Sequence, residues 1–201
     1  MLDKTIPFHT IIMRSANDRL CTVPELPEGF SVRCYQPGDG TAWAAIQTAV
    51  GEFEDTDAAM RCFRHYLKHE EALKRRQIYV IDDARKVPVA TATAWYSMKE
   101  ARPIGVVHAL SCLPAYQSRG LGRIAAASMM NVFYRLMPGC AVWLDTQTWS
   151  CRAIGIYLDL GFVPMKTATY NEVPNEYPEA VRVLKGRMRP DVFRRFADSA
   201  E

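Results

Sequence analysis

A short basic loop carries the clearest chemical signal in the sequence. Gln117, Gly120 and Gly122 follow the pattern Gln-x-x-Gly-x-Gly, with Arg119 and Arg123 interleaved. A helical pattern begins directly behind them, and the first turn of a helix presents unpaired N–H groups at the positive end of its dipole. Glycine lets an anion approach those groups closely, and arginine adds charge beside them. The combination predicts a binding site for a pyrophosphate group.

The same loop excludes two common nucleotide-binding motifs and leaves one plain alternative. It lacks the Gly-Lys-Ser/Thr of a P-loop, and it does not match the Gly-x-Gly-x-x-Gly fingerprint of dinucleotide-binding folds. Glycines between a strand and a helix also serve simply to make a tight turn. The two glycines alone therefore leave both anion binding and a purely structural turn open.

Hydrophobic periodicity predicts the elements that must position this loop. Apolar runs and alternation predict strands, and apolar residues three and four apart predict helices. The order of these elements predicts a mixed α/β (α+β) domain around a largely antiparallel sheet with one parallel crossover. The predicted strands are Phe30–Tyr35, Gln77–Asp82, Val87–Tyr96, Ile104–Leu113, Ala141–Asp145 and Phe162–Tyr170, and the predicted helices are a segment from Asp39 or Thr41 to Val50, Asp57–Leu73, Gly120–Met137 and Ser150–Leu160.

The two ends of the chain are less regular. The run Thr10–Met13 predicts one strand within an N-terminal arm, and the Pro-rich end contains short helical patterns at Glu179–Leu184 and Asp191–Phe196. We therefore expect three parts: residues 1–29 as an arm packed on the domain, residues 30–170 as the domain itself, and residues 171–201 as its C-terminal extension.

Two spaced patterns resemble the GNAT superfamily of N-acetyltransferases. The pattern from Gln117 to Gly122 is similar to the family's acetyl-CoA signature, Arg/Gln-x-x-Gly-x-Gly/Ala. Ser150-x-x-Ala-x-x-x-Tyr157-x-x-x-Gly-Phe is similar to its second signature, in which asparagine usually stands at the position of Ser150. The resemblance covers roughly residues 78–165. It implies the GNAT fold, with a central mixed, mostly antiparallel sheet flanked by helices, and a bulge in the strand before the first signature.

The resemblance also implies residue roles. The family's tyrosine, here Tyr157, protonates the departing CoA thiolate, whereas helical spacing alone makes it a core residue. His108 lies in a segment similar to that of arylalkylamine N-acetyltransferases, where a histidine helps to deprotonate the amine; its alternative is a structural histidine. The resemblance assigns contacts with acetyl-CoA to Leu110, Ser111, Cys112, Leu113, Gln117, Ser118, Arg119, Gly120, Leu121, Gly122, Arg123, Ser150 and Tyr157.

A dense acidic loop and one tryptophan are candidates for binding the acceptor. Glu52 and Glu54, followed by Asp55 and Asp57, form a run of carboxylates that attracts a cationic amine, supplies an alternative base, or simply makes a solvated surface. Trp95 lines the acceptor site or belongs to the core. The predicted function is transfer of an acetyl group from acetyl-CoA to a primary amine of a small molecule or peptide. The alternatives are a non-catalytic CoA-binding or sensory module and a transferase that uses another acyl-CoA.

Composition excludes several other classes. A formal net charge of +3 is too small for a dedicated nucleic-acid binder. Neither a signal-peptide pattern nor an apolar run of membrane-spanning length is present, so the sequence predicts a cytoplasmic protein without membrane partners. The six cysteines form no Cys-x-x-Cys pair and predict no metal site. A covalent acyl-enzyme on Cys112 is disfavoured because the family transfers directly. Dimers are common in the family, which leaves a homodimer open.

Overall fold

A computed structural model of the chain describes residues 2–201, and Met1, the first residue of the predicted arm, lies outside the described residues. The chain contains seven strands and seven α-helices within that range. The strands are β1 (Thr10–Ser15), β2 (Phe30–Cys34), β3 (Gln77–Asp82), β4 (Val87–Lys99), β5 (Arg102–Cys112), β6 (Val142–Gln147) and β7 (Val163–Pro164). The helices are α1 (Gly40–Val50), α2 (Thr56–Leu67), α3 (Glu70–Arg76), α4 (Leu121–Leu136), α5 (Cys151–Asp159), α6 (Tyr177–Leu184) and α7 (Pro190–Asp198).

The strands form one mixed sheet in the order β2-β3-β4-β5-β6-β1-β7. Pairing is antiparallel between β2 and β3, β3 and β4, β1 and β6, and β1 and β7, whereas β5 and β6 are parallel. The predicted fold class, a mostly antiparallel sheet with one parallel pair, is confirmed. The run predicted as a strand of the N-terminal arm is β1, which pairs with β6 on one side and β7 on the other.

The chain divides into two compact units. The first contains residues 20–95 and 108–136, and the second contains residues 2–19, 96–107 and 137–201. The division falls within β4 and β5, so each unit includes part of these two strands. The predicted boundaries at residues 29 and 170 stay a prediction.

An aromatic core fills the first unit. Trp43 from α1 and Phe63 from α2 have ring centroids 5.1 Å apart, and both are almost fully buried. Tyr79 of β3 belongs to the same cluster, and all six residues of β3 are buried, as the sequence predicts. Aromatic side chains bury large apolar areas, and their removal from water stabilises this packing. The core of the second unit consists of Ile12, Ile104, Val106, Trp143, Met165 and Tyr170.

The prediction of a single helix at Asp57–Leu73 is wrong, because the segment forms two helices. The backbone of His69 leaves the helical region, with φ −128° and ψ 42°, and α3 restarts behind it. Glu70 and Glu71 occupy the first turn of α3, and three basic residues occupy its last turn. That charge order complements the dipole of a separate short helix. Periodicity missed the break because the apolar spacing continues across it.

The strand predicted at Phe162–Tyr170 is also wrong in its length. Only Val163–Pro164 forms a strand. The chain then turns, and the amide of Asn175 donates to the carbonyl oxygens of Met165 and Ala168 at 2.8 and 3.0 Å. Side-chain hydrogen bonds of this kind compete with strand pairing. The helices predicted near the C-terminus are present as α6 and α7. None of the helices in residues 2–201 has the length and apolar content to cross a membrane.

Gly40 permits the close packing of α1 on α2. A Cβ at this position would lie 2.7 and 2.8 Å from two ring carbons of Phe63. Phe63 cannot move easily, because it is fully buried among Tyr35, Trp43 and Tyr66. We predict that Gly40→Ala lowers the free energy of unfolding by about 1–3 kcal/mol, the usual cost of overpacking a core. The midpoint of urea unfolding measures this change.

Gly155→Ala is the matched control for that substitution. Gly155 lies inside α5, and a Cβ there would meet only Val192 at an ordinary contact distance of 3.6 Å. Alanine is the better helix former by about 0.5–1 kcal/mol, so this variant should be more stable than the parent chain. Equal effects of the two substitutions would contradict the packing assigned to Gly40.

Candidate active site

A left-handed residue interrupts β5 at the point where the candidate site begins. Ala109 has φ 55°, although it is not glycine. In a regular strand, His108 and Ser111 would point to opposite faces. Here His108 contacts Tyr66 of α2, and Ser111 donates to Gln47 of α1 at 3.1 Å, while α1 and α2 pack together. This break in the alternation lies in the strand where the sequence resemblance implied a bulge.

This break in β5 places the imidazole of His108 among aromatic rings. Its Nδ1 lies 2.8 Å from the hydroxyl of Tyr66. The ring of Trp95 is nearly parallel to the imidazole, with centroids 6.4 Å apart and 20° between the planes. Tyr66 and Trp95 contact each other edge to face at 5.3 Å. The structure therefore brings together two predicted site residues, His108 and Trp95, and adds Tyr66, which sequence reasoning missed.

Tyr66 itself is fixed by the core of the first unit. Its ring contacts Trp43 at 6.0 Å and Phe63 at 6.0 Å. A hydrogen-bond partner held in this way restricts both the rotation of the imidazole and the distribution of its protons. When the Nδ1–H of His108 donates to the Tyr66 oxygen, the lone pair lies on Nε2 and can accept a proton. The only sequence signal for Tyr66 was its place on the apolar face of the predicted helix.

The predicted acidic loop separates into two kinds of carboxylate. Asp55 caps α2, because its side chain accepts the N–H of Ala58 at 2.7 Å, and Asp57 lies in the first helical turn. Both positions are ordinary places for acids at a helix N-terminus. Glu52 and Glu54 are exposed, and the side chain of Phe53 between them packs on Trp43 at 5.9 Å. The predicted role of Glu52 and Glu54 in attracting an amine stays a prediction.

The loop predicted to bind phosphate, Gln117–Gly122, is called the phosphate-binding loop and follows β5 closely. The side chain of Gln117 donates to the carbonyl oxygen of Cys112 at 3.0 Å, which fixes the loop to the end of the strand. Ser118 has φ 65° and Gly120 has φ 82°, and α4 begins at the next residue, Leu121. A Cβ at Gly120 would meet no atom within 4 Å, so the space beside the first helical turn is open. This arrangement fits an approaching anion.

The charged and backbone groups around this loop differ in how well they can contact a cofactor. Arg119 and Arg123 are exposed, as a phosphate contact requires. Leu113 is less suited to the predicted backbone contact with a cofactor, because its N–H donates to Val89 and its carbonyl accepts from Tyr116. Leu110 and Ser111 are half-buried at the end of β5, as is Cys112. Leu121 is buried beneath the first turn of α4, and Gly122 is half-buried beside it.

A second network supports the loop from the β3–β4 hairpin. The hydroxyl of Tyr116 donates to the carboxylate of Asp82 at 2.8 Å and accepts from the guanidinium of Arg85 at 2.9 Å. Arg85 also donates to Asp82 through its backbone and side chain. These hydrogen bonds lower the pKa of Asp82 to about 2, with the Arg85 backbone N–H as the largest cause. Sequence reasoning missed this network because Tyr116 lies more than thirty residues from Asp82 and Arg85.

The second unit contains the remaining predicted site residues. Tyr157 on α5 is only 6% exposed, and its ring packs edge to face on Phe162 at 5.8 Å. Ser150 stands at the N-cap of α5, but its side chain makes no capping hydrogen bond. The hydroxyl of Tyr170 donates to Asp145 at 2.6 Å, and burial raises the pKa of Tyr170.

Comparison with known proteins agrees with this arrangement. Residues 41–162 match the sequence profile of the Acetyltransferase (GNAT) family, which is more than half of the chain. The chain belongs to the GNAT acetyltransferase family. The matched range includes His108, the phosphate-binding loop and Tyr157.

Individual relatives of this GNAT protein are distant. The mycothiol acetyltransferase of Streptomyces coelicolor is 25% identical over 160 residues, which cover 72% of this chain and 46% of that protein. A GCN5-related N-acetyltransferase from Sphaerobacter thermophilus has a TM-score of 0.61 at 18% identity, covering 79% of this chain and 49% of that one. A GNAT-family acetyltransferase from Colwellia psychrerythraea has a TM-score of 0.56 at 8% identity, covering 81% and 55%. The chain spans about half the length of these relatives, and the two structures support the fold alone.

Cys112 of this GNAT protein is poorly suited to act as a nucleophile. Burial raises the pKa of its thiol to about 11, although Arg119 acts in the opposite direction. A thiol reacts as the thiolate, so a raised pKa reduces the reactive fraction at neutral pH. Within residues 2–201, no three metal-ligating side chains cluster either.

We predict that Cys112 alkylates slowly and with a shifted pH dependence. At pH 8 its thiolate fraction should be about 100-fold below that of an ordinary cysteine thiol, because its pKa is about two units higher. Iodoacetamide labelling, followed by mass spectrometry of the Cys112 peptide, should give a rate that still rises above pH 10. The urea-unfolded chain is the control, and its rate should reach about half its maximum near pH 9 and level off near pH 10. Levelling at the same pH in both samples would contradict the shifted pKa.

Proposed function

We propose that this chain is an acetyl-CoA-dependent N-acetyltransferase that acts on a primary amine by direct transfer. The observation that carries the proposal is one continuous segment, in which the strand that presents His108 runs directly into the phosphate-binding loop. A proton acceptor and an anion site thus lie on the same short stretch of chain. Family membership supports acetyl transfer as the reaction class. The geometry of this segment supports a CoA thioester as the acetyl donor and an amine as the acceptor.

The loop fits the phosphate end of acetyl-CoA, which when bound supplies the activated acetyl thioester. Gly120 leaves open space beside the first turn of α4, where backbone N–H groups and the exposed Arg119 and Arg123 attract negative charge. The pantetheine arm is assigned to Leu110, Ser111 and Cys112 at the end of β5, although the carbonyl of Cys112 already accepts from Gln117. Leu113 then contributes its side chain rather than its backbone. Ser150 replaces the usual asparagine and offers a hydroxyl without a capping role.

His108 is proposed as the base for the acceptor amine. An amine attacks a thioester only through its neutral form, so one proton must leave the ammonium before attack. With Nδ1–H donated to Tyr66, the Nε2 of His108 accepts that proton, directly or through water. Glu52 and Glu54 attract the cationic amine, and Trp95 provides an aromatic face for it. Tyr157 remains the candidate acid for the thiolate, because a phenol with an ordinary pKa of about 10 is protonated at neutral pH.

The acceptor is a small-molecule or peptide amine in this proposal, and nucleic acids and membranes are not substrates. We place the reaction in the cytoplasm, where acetyl-CoA is available, and we propose no resident metal. The name of the mycothiol acetyltransferase relative makes mycothiol-related amines a reasonable first group to test. A homodimer stays a proposal suggested by the family.

Calorimetric titration with acetyl-CoA tests the cofactor assignment. We predict that the parent chain binds and that Arg119→Ala combined with Gly120→Glu weakens binding by at least about tenfold. The double substitution removes a cation and places a carboxylate at a residue with φ 82° beside the helix N-terminus. Calorimetry gives the dissociation constants of both proteins.

The matched control lies at the opposite end of the same helix. Arg135 is exposed, and Gly139 has φ 75° with open space around its Cβ position. Arg135→Ala combined with Gly139→Glu makes the same chemical changes, and its binding of acetyl-CoA should equal that of the parent. Failure of the parent chain to bind acetyl-CoA would overturn the proposed function. Equal weakening by both double variants would contradict the assignment of the binding site to the loop.

Turnover measurements on an amine panel test the proton-transfer roles. We predict that His108→Ala lowers kcat/KM by about 100-fold or more near neutral pH, the usual contribution of a general base. Tyr157→Phe should lower kcat while acetyl-CoA affinity stays near that of the parent. Tyr66→Phe should also lower kcat/KM, though by less than His108→Ala, since it removes the partner that orients the imidazole through Nδ1. Binding without turnover on every amine would instead support a non-catalytic CoA-binding module.

A further inference from the structure

Tyr116 joins two separate parts of the first unit. It ends the short 3-10 turn at Pro114–Tyr116, directly before the phosphate-binding loop. Its hydroxyl reaches back to the hairpin between β3 and β4, where it contacts both Asp82 and Arg85. The ring contacts Phe30 of β2 edge to face at 6.2 Å. The tyrosine is therefore held at both its hydroxyl and its ring.

The hydroxyl of Tyr116 has a defined orientation in this network. It donates to a carboxylate and accepts from a guanidinium, and Arg85 also binds Asp82 directly. Asp82 is buried, with 6% of its surface exposed, at the end of a fully buried strand. Removal of one member would leave the buried Asp82 carboxylate with fewer hydrogen-bond donors. The hydroxyl of Tyr116 is therefore fixed to the end of β3.

The ring of Tyr116 supports a residue of the candidate site. The guanidinium of Arg119 lies over it, 5.3 Å from the ring centroid. This distance is within the range of a cation–π contact. An exposed arginine otherwise samples many rotamers, and binding an anion through it requires that freedom to be lost. Stacking on a fixed ring already restricts the rotamers of Arg119, so less conformational entropy is lost when the ligand binds.

We propose that Tyr116 is a positioning residue that holds Arg119 ready for the pyrophosphate of a CoA-type ligand. The inference rests on the proposed function and extends it to a residue outside the Gln-x-x-Gly-x-Gly pattern. Asp82 and Arg85 fix the hydroxyl, the ring carries Arg119, and Arg119 meets the phosphate. The β3–β4 hairpin thus contributes to cofactor affinity without contacting the cofactor itself.

A double-mutant cycle tests this coupling. Dissociation constants for acetyl-CoA are measured by calorimetry for the parent chain, Tyr116→Leu, Arg119→Ala and the double variant. Tyr116→Leu should weaken binding by about threefold to tenfold in the parent background and by less than about twofold when Arg119 is already alanine. The effect of Tyr116→Leu should shrink as salt is raised, because it acts through a charge. Tyr116→Phe keeps the ring but loses the hydroxyl contacts with Asp82 and Arg85, so it should weaken binding measurably but less than Tyr116→Leu does.

Controls separate positioning from a general loss of structure. Tyr35→Phe removes another tyrosine–carboxylate hydrogen bond, the 3.2 Å contact with Glu70, and thermal unfolding is measured for this variant and for Tyr116→Phe. Its affinity for acetyl-CoA should equal that of the parent. Repeating the cycle with 3′-dephospho-CoA identifies the phosphate involved. Coupling that persists supports the pyrophosphate, and coupling that disappears overturns that assignment.

The outcomes distinguish this inference from the function on which it rests. A parent chain that does not bind acetyl-CoA would overturn the proposed function itself. A parent chain that binds normally, with additive losses from Tyr116→Leu and Arg119→Ala, would overturn only the positioning role. Equal affinity of Tyr116→Leu and the parent would overturn that role as well.

Discussion

The candidate site depends on one backbone constraint, the left-handed conformation of Ala109 inside β5. A non-glycine residue in this region costs about 1–2 kcal/mol, so packing around it must hold it in place. The conformation directs the side chains of His108 and Ser111 toward the same pair of helices, α1 and α2, whereas regular alternation would direct them to opposite faces of the sheet. Without it, either the imidazole or the serine would turn away from α1 and α2. Strand β5 is therefore strained at Ala109, the residue that follows the proposed base His108.

The aromatic core of the first unit holds this strained strand. Tyr66 contacts Trp43, Phe63 and Trp95 and at the same time lies within hydrogen-bonding distance of His108. Ala109 packs against the same cluster. Burial of these rings offsets the local cost, since each buried large apolar side chain contributes about 1.5–3 kcal/mol and several of them surround Ala109. The same contacts that stabilise the fold thus fix the orientation of the proposed base.

The phosphate-binding loop likewise combines residues that are fixed by hydrogen bonds with residues that are exposed. Gln117 fixes the loop to the end of β5, and Tyr116 fixes it to the β3–β4 hairpin. Arg119 and Gly120 directly follow these two attachments and remain exposed. Rigid attachment with exposed charge suits anion binding, because less side-chain entropy is lost when the ligand arrives.

The sequence by itself determined the features that depend on neighbouring residues. The buried strand Gln77–Asp82, helix α4 and the glycine-containing loop before it follow from local periodicity and turn chemistry, and two spaced patterns pointed to the family. The break at His69 and the early end of β7 did not follow, because apolar spacing continues through both segments. Only the tertiary structure decided which side chains meet. The Tyr66–His108 contact joins residues 42 positions apart, and Tyr116 meets Asp82 across 34 positions. Such pairs depend on how helices and hairpins pack, and no short-range pattern in one sequence encodes that packing.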